Sequence, residues 1–155
     1  MTTFKLSLIA CGLATFTAFA APQVLAAGSS PSTDTTPSAN SYNDALQKVQ
    51  AGDYLSAIPM LQQVAADDPS NADALNELGF SLRKVGRLPE SLDAYKKALA
   101  LNPSHIDANE YLGELYLVMK RPDLAKQQLD VLAKLCPNGC EQRNDLQEQL
   151  AAFKS

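Results

Sequence analysis

The sequence is short of the residues that metal and redox sites need. It contains a single histidine, His105, and three cysteines among 155 residues. A metal site needs three or four ligands, and His105 stands well apart in the sequence from Cys136 and Cys140. No glycine-rich phosphate loop follows a strand pattern, and no base stands where it could activate a serine. We therefore expect no metal, no cofactor, no catalytic residue and no enzyme activity.

Positive charge is scarce as well. The chain has 13 basic and 17 acidic residues, and residues 1–26 hold only Lys5, so 12 basic and 17 acidic residues remain after that segment. A nucleic-acid binder needs a basic footprint to release counterions, and an anionic membrane surface attracts basic segments. The balance argues against both as partners.

A long apolar run occurs only near the N-terminus. Lys5 precedes an apolar run from Leu6 to Ala21, and small residues before Ala27 offer a cleavage site. This pattern predicts a secretory signal peptide over residues 1–26. An alternative is that Cys11, in a lipobox-like stretch, becomes an acylated first residue, which would tie the protein to a membrane.

Residues 27–40 are rich in Ser, Thr and Pro and contain no large apolar residue. Such a segment cannot bury enough surface to offset its ordering entropy, so we predict a flexible tether. The remaining residues are enough for one domain.

Two consecutive segments of this domain align without a gap, residues 72–105 and 106–139. Leu78-Gly79 aligns with Leu112-Gly113, and Pro103 with Pro137. A third segment, 38–71, shares the turn and second-helix positions, although its first helix departs from the pattern. The spacing, with its Leu-Gly pair, later small residue and closing proline, resembles the tetratricopeptide repeat.

The resemblance implies an all-α fold: a right-handed superhelix of three helix-turn-helix repeats over 41–139, followed by a capping helix over 140–155. The glycine lets the first helix of a repeat approach the second, and the proline ends the second helix. In the first helix, Tyr42, Ala45, Leu46 and Val49 form the apolar stripe. Leu146, Leu150 and Phe153 form one face of the cap.

Cys136 and Cys140 flank the turn before the cap. In an exported chain they predict a disulfide that holds the cap to the last repeat. A redox pair would have two intervening residues, and a metal site would need further ligands; both remain weaker alternatives.

By the family's register, certain positions of each first helix point into the concave groove. The predicted groove residues are Tyr42, Leu46, Val49, Asp73, Asn76, Phe80, Arg83, Lys84, Asp107, Glu110, Glu114, Leu117 and Val118. They predict an apolar patch, a basic spot at Arg83-Lys84 and a wall of solvated acids. A peptide or helix with an apolar anchor and an acidic group would suit the first two. His105 is predicted to be an ordinary exposed turn residue.

The sequence thus predicts a non-enzymatic interaction module or scaffold of the bacterial cell envelope, exported to the periplasm, whose partner is another envelope protein. The alternatives are a lipid-anchored, pilotin-like assembly factor of a pilus or secretion system and an accessory subunit of a periplasmic enzyme complex.

Overall fold

The computed structural model describes residues 39–153, and within that range it contains seven α-helices and no strand. The helices are α1 (Ala39–Gln50), α2 (Tyr54–Asp67), α3 (Ala72–Lys84), α4 (Leu88–Leu101), α5 (Ile106–Val118), α6 (Pro122–Leu135) and α7 (Glu141–Ala152). The predicted signal peptide, Cys11 and nearly all of the tether lie outside the described residues. None of these seven helices combines the length and the apolar character that crossing a bilayer requires.

The helices pack as consecutive antiparallel pairs. α1 packs on α2, α3 on α4 and α5 on α6, while α2 also contacts α3 and α4 contacts α5. The first helices of the pairs lie beside one another, since α1 contacts α3, α3 contacts α5, and α5 contacts α7. We call the surface formed by α1, α3, α5 and α7 the A-helix face. This arrangement is the all-α superhelix that the repeat pattern predicts.

Side chains at the helix starts explain where several helices begin. Asn71 Oδ1 accepts a hydrogen bond from the Ala74 N–H at 2.8 Å, which caps α3. His105 Nδ1 accepts from the Ala108 N–H at 3.3 Å and caps α5 in the same way. These acceptors satisfy N–H groups that have no partner inside the helix. α4 and α6 instead carry a proline in the first turn, where its missing N–H costs nothing.

The small residues act at two different contacts. At Gly79 an added Cβ would lie 2.7 Å from Tyr95 Cδ1, and the Ser91 hydroxyl donates a hydrogen bond to the Gly79 carbonyl at 2.7 Å. These contacts confirm that Gly79 lets α3 approach α4. At Gly113 the atoms nearest to an added Cβ belong to Leu146 of α7, so this glycine also lets the capping helix pack closely on α5. The capping helix therefore packs on both helices of the last repeat.

Two large apolar clusters form the interior. The first is formed by residues of α1, α2, α3 and α4. Ala45 of α1 is fully buried in it, and Tyr42 and Val49 pack against it. The second joins α4 to α7 around the buried Leu146, with Leu150 and Phe153 packed against it. The apolar stripe of α1 and the apolar face of α7 therefore pack on the array, which sets the two ends of the A-helix face.

Candidate functional site

A cluster of aromatic rings lies around Phe80 of α3, with one ring from α2 and one from α5. The Phe80 ring of α3 meets Tyr54 of α2 edge to face at a centroid distance of 5.8 Å, and Tyr111 of α5 at 5.1 Å. Two cationic side chains contact the same rings. Arg83 Cζ lies 5.5 Å from the Phe80 centroid and 5.7 Å from that of Tyr111, and Lys84 Nζ lies 5.0 Å from Phe80. We call these five residues the aromatic–cation cluster; its contacts are those of cation–π pairs.

Arg83 is already paired within the chain. Its Nη2 lies 2.5 Å from Glu114 Oε2, and the two side chains are only 12% and 14% exposed. Glu114 also accepts a hydrogen bond from the Gln149 amide of α7. The predicted basic spot is therefore reduced to Lys84, which is exposed.

Acidic side chains on α3 and α5 are buried to different degrees. Glu110 is only 6% exposed, and no hydrogen bond to its carboxylate occurs in the part of the chain that the structure describes. Burial raises the pKa of Glu110 to about 7, helped by the charges of Glu114, Asp145 and Asp107 and opposed by Arg83. The prediction that Glu110 and Glu114 are solvated acids is wrong, because α7 packs against α5 beside them.

Glu77 is a half-buried acid that follows the buried Asn76 on α3. Burial raises the pKa of Glu77, the hydrogen bond from Asn76 opposes that rise, and the charges of Asp107 and Asp73 add to it. The Asn76 amide donates to Glu77 Oε1 at 3.3 Å. Its Oδ1 is buried without a hydrogen-bond partner among residues 39–153. Sequence reasoning missed Glu77 because the family register does not point that position into the groove.

Two tyrosine hydroxyls belong to the same electrostatic environment. Burial raises the pKa of Tyr111 to about 12, with contributions from Glu110, Asp107, Glu77 and Glu114. Burial also raises the pKa of Tyr42, and the negative charges of Glu77 and Asp73 raise it further. The hydroxyls and the carboxylates therefore share one region of the A-helix face, and both tyrosines stay protonated at neutral pH.

The structure distributes the predicted groove residues over several roles. It brings Phe80, Arg83, Lys84 and Glu114 together. Leu117 is buried in the cluster that joins α4 to α7. Tyr42 and Val49 pack on the other cluster, Leu46 is partly exposed, and Val118 is 54% exposed. Tyr54, Tyr111, Gln142 and Gln149 are site residues that the register did not indicate.

His105 is more ordered than predicted. Its side chain is 10% exposed, and its Nε2 lies 3.1 Å from Asp73 Oδ1. The angle at this contact is not that of a hydrogen bond. Because Nδ1 accepts the cap bond of α5, the neutral ring carries its proton on Nε2, which lies near Asp73 but is not directed at its carboxylate. His105 is thus a helix cap, and no group of three or more His, Cys, Asp and Glu side chains that could hold a metal ion occurs within residues 39–153.

Cys136 directly follows the last residue of α6, and Cys140 directly precedes α7. Their sulfurs lie at disulfide-bonding distance, with the Cα atoms 5.8 Å apart. Gly139, between them, has a φ of +93°, a conformation that glycine adopts without strain. The Arg143 guanidinium donates to the Cys136 carbonyl at 3.0 Å and ties the turn to α7.

A depression lies between α2 and α4, with part of α3 as its floor. Its volume is about 630 Å³, and Ala65, Pro69, Leu75, Lys97 and Leu101 are among the residues that line it. We call it the B-helix groove.

Sequence comparison finds two matches to the tetratricopeptide repeat, at residues 42–80 and 72–105. Among curated proteins, protein FlbA of Caulobacter vibrioides is 32% identical over 102 residues, which make up 66% of this chain and 17% of FlbA. The chain therefore spans about a sixth of the length of that relative.

Several solved structures share the fold. The first tetratricopeptide domain of Spaghetti (RPAP3), bound to an HSP90 peptide, is 21% identical with a TM-score of 0.66, covering 75% of this chain and 92% of its own. The Yersinia enterocolitica secretion chaperone SycD, with a peptide of the translocator YopD, is 17% identical with a TM-score of 0.65, covering 74% and 86%. A point mutant of MamA is 29% identical with a TM-score of 0.59, covering 62% and 70%.

Proposed function

Because this chain is a tetratricopeptide repeat protein, we propose that it is a non-enzymatic interaction module that holds a peptide or helix of another protein on its A-helix face. The observation that carries the proposal is the aromatic–cation cluster. Three rings and two cations from three helices meet there, and Lys84 remains exposed beside Phe80. Aromatic and cationic side chains of this kind dominate binding energy at protein interfaces.

Two of the similar structures support this use of the fold. The RPAP3 domain was solved with an HSP90 peptide and SycD with a YopD peptide. A rigid helical array offers a preformed surface to an extended or helical segment, so little ordering free energy is lost by the array on binding.

The proposal includes a location outside the cytoplasm, with an envelope protein as the partner. The composition of residues 1–26 and the Cys136–Cys140 pair support it, since disulfides persist in oxidising compartments. Mass spectrometry of the mature protein checks the location. We expect an N-terminus near Ala27; an acylated Cys11 would indicate the lipid-anchored alternative, and an intact first residue would contradict export.

A matched pair of substitutions tests the binding surface. Val118 and Leu101 are the last residues of α5 and α4, are 54% and 46% exposed, and lie on the A-helix face and in the B-helix groove respectively. In cross-linked affinity capture from the native cells, Val118→Arg should lose the partner and Leu101→Arg should keep it. Neither substitution buries a charge, so the melting temperatures should stay close to that of the wild type. Loss of the partner in Leu101→Arg alone would move the interface to the B-helix groove and contradict the proposal.

A further inference from the structure

We propose that the segment bound on the A-helix face presents a lysine or arginine side chain to a carboxylate pocket formed by Glu77, Asp107 and Glu110. The inference rests on the proposed function and names the chemistry of its partner. It differs from the sequence expectation of an acidic partner group near Arg83 and Lys84.

The pairing of charges on the face is the first argument. Arg83 is bound to Glu114, and Lys84 stands over the Phe80 ring. His105 lies beside Asp73. No ion pair reaches Glu77, Asp107 or Glu110 from any side chain in the described range 39–153; Asp107 accepts only a neutral hydrogen bond, from Gln142 at 2.9 Å. Apart from Lys84, the unpaired charges of this region are therefore negative.

A buried acceptor without a donor is the second and independent argument. Asn76 is 2% exposed, and its amide lies against Glu77 with Oδ1 unpartnered. Glu110 receives no hydrogen bond from the residues described either, although its carboxylate oxygens still reach water. Buried polar atoms without partners are costly. A lysine ammonium brings three donors and an arginine guanidinium five, and neither brings an acceptor. A bound cation would therefore supply the donors that Asn76 Oδ1 lacks and that the Glu110 carboxylate takes only from water.

The electrostatics of the pocket agree with this geometry. Burial raises the pKa of both Glu77 and Glu110, and the charged groups around Glu110 are Glu114, Asp145, Asp107 and the already paired Arg83. A cation in the pocket would favour the ionised carboxylates. Binding of a basic segment should consequently strengthen as the pH rises through about 7, the value to which the pKa of Glu110 is raised.

Aromatic residues near the three carboxylates suit the rest of a long cationic side chain. Tyr111 follows Glu110 on α5, and Tyr42 of α1 lies close enough to Glu77 for that charge to raise its pKa. Aromatic surfaces pack against the methylene stem of a lysine or the plane of an arginine. An acidic segment would meet like charges, which costs affinity and rejects wrong partners.

Peptide display on the full chain tests the inference and does not require the natural partner to be identified. A library of capped random peptides is selected on the wild type, and the affinity of the best binder is measured on two charge-matched variants. Glu77→Gln with Glu110→Gln removes two charges from the pocket. Asp93→Asn with Asp123→Asn removes two charges from exposed sites on α4 and α6. Circular dichroism confirms that both variants fold.

We expect the selected peptides to be enriched in lysine and arginine. Loss of desolvated charge pairing should lower their affinity by about thirtyfold or more in the pocket variant. The affinity should stay within about twofold in the exposed-site variant, because such charges act weakly. Val118→Arg should also weaken binding, which locates the peptide on the A-helix face.

The remaining outcomes separate the two claims. Neutral or acidic peptides whose binding is lost in Val118→Arg would overturn the cation pocket and keep the proposed function. Basic peptides that bind both charge variants equally would also overturn the pocket. No enrichment, or binders insensitive to Val118→Arg, would overturn the pocket and the proposed function together.

Discussion

At the scale of single residues, Arg83 connects the two halves of the site. Its guanidinium lies against the Phe80 and Tyr111 rings and forms an ion pair with Glu114. Because the pair is largely shielded from water, removal of one member leaves the other charge poorly solvated. Arg83 therefore joins α3 to α5 and is not free to bind an acidic partner.

We predict that Arg83→Met lowers the free energy of unfolding by about 2–4 kcal/mol, since Glu114 loses its counter-charge. Urea unfolding measures the change. Arg87→Met is the matched control, because its pair with Glu90 has side chains that are 42% and 53% exposed, and exposed pairs contribute about 0–1 kcal/mol. Equal costs for the two substitutions would show that the Arg83–Glu114 pair does not stabilise the array.

Glu110 gives the stability a pH dependence. Its pKa is raised from 4.5 to about 7 in the folded chain, so the folded state holds the proton more tightly than the unfolded state. That contribution is fully present below 4.5 and is lost as the pH rises to about 7. We expect Glu110→Gln to flatten the fall in the urea midpoint between pH 5 and pH 8.

Glu90→Gln is the control for that series. The hydrogen bond from Arg87 lowers the pKa of Glu90, so its contribution has the opposite sign and its removal should not flatten the fall. An unchanged slope in Glu110→Gln would mean that Glu110 ionises as it does in water.

At the scale of helices and turns, the repeat imposes one backbone conformation on three different residues. The second residue after each first helix has a positive φ. It is Gly52 (74°), Gly86 (80°) or Lys120 (57°) in the three repeats. Glycine adopts this left-handed conformation freely, whereas a residue with a Cβ is strained by about 1 kcal/mol or more. The third repeat therefore carries strain that the first two avoid.

We predict that Lys120→Gly raises the free energy of unfolding by about 0.5–1 kcal/mol, the strain relieved less the added freedom of the unfolded chain. Gly86→Ala should lower it by a similar amount, because it creates in the second repeat the strain that Lys120 has. Thermal unfolding of both variants measures these changes in stability. Stabilisation by both substitutions, or by neither, would contradict this account of the turn.

We predict that a disulfide joins Cys136 and Cys140 across the turn before α7. Thiol titration of unreduced, denatured protein should give the same count for the wild type and for Cys136→Ser with Cys140→Ser. The double variant should be less stable by about 2 kcal/mol, since the bond closes a short loop. Two more free thiols in the wild type would show that the pair is reduced.

At the scale of the whole molecule, the sequence predicts the fold because the repeat places its signals at fixed intervals. Gly79, Ser91 and Pro103 each have an aligned partner 34 residues later, and each acts through a local contact or a helix end. Such features depend on neighbours within one repeat, so a single sequence is enough to predict them.

The site could be predicted only in part, because its chemistry depends on contacts between repeats. Arg83 meets Glu114 only when α3 and α5 lie side by side. Glu110 loses its water because α7, beyond the repeats, packs on α5. Tyr54 starts a second helix, and its ring reaches Phe80 only in the assembled array. No pattern along one helix specifies which of these charges are paired.

Position-resolved photo-crosslinking in the native cells tests the central claim most directly. A photoreactive amino acid replaces Lys84 beside Phe80 in one chain and Lys97 of the B-helix groove in another, both at exposed positions. The account predicts one protein product from the Lys84 site, linked through a segment that contains lysine or arginine, and none from Lys97. A product from Lys97 alone would place the partner on the opposite surface and contradict the A-helix face as the binding site.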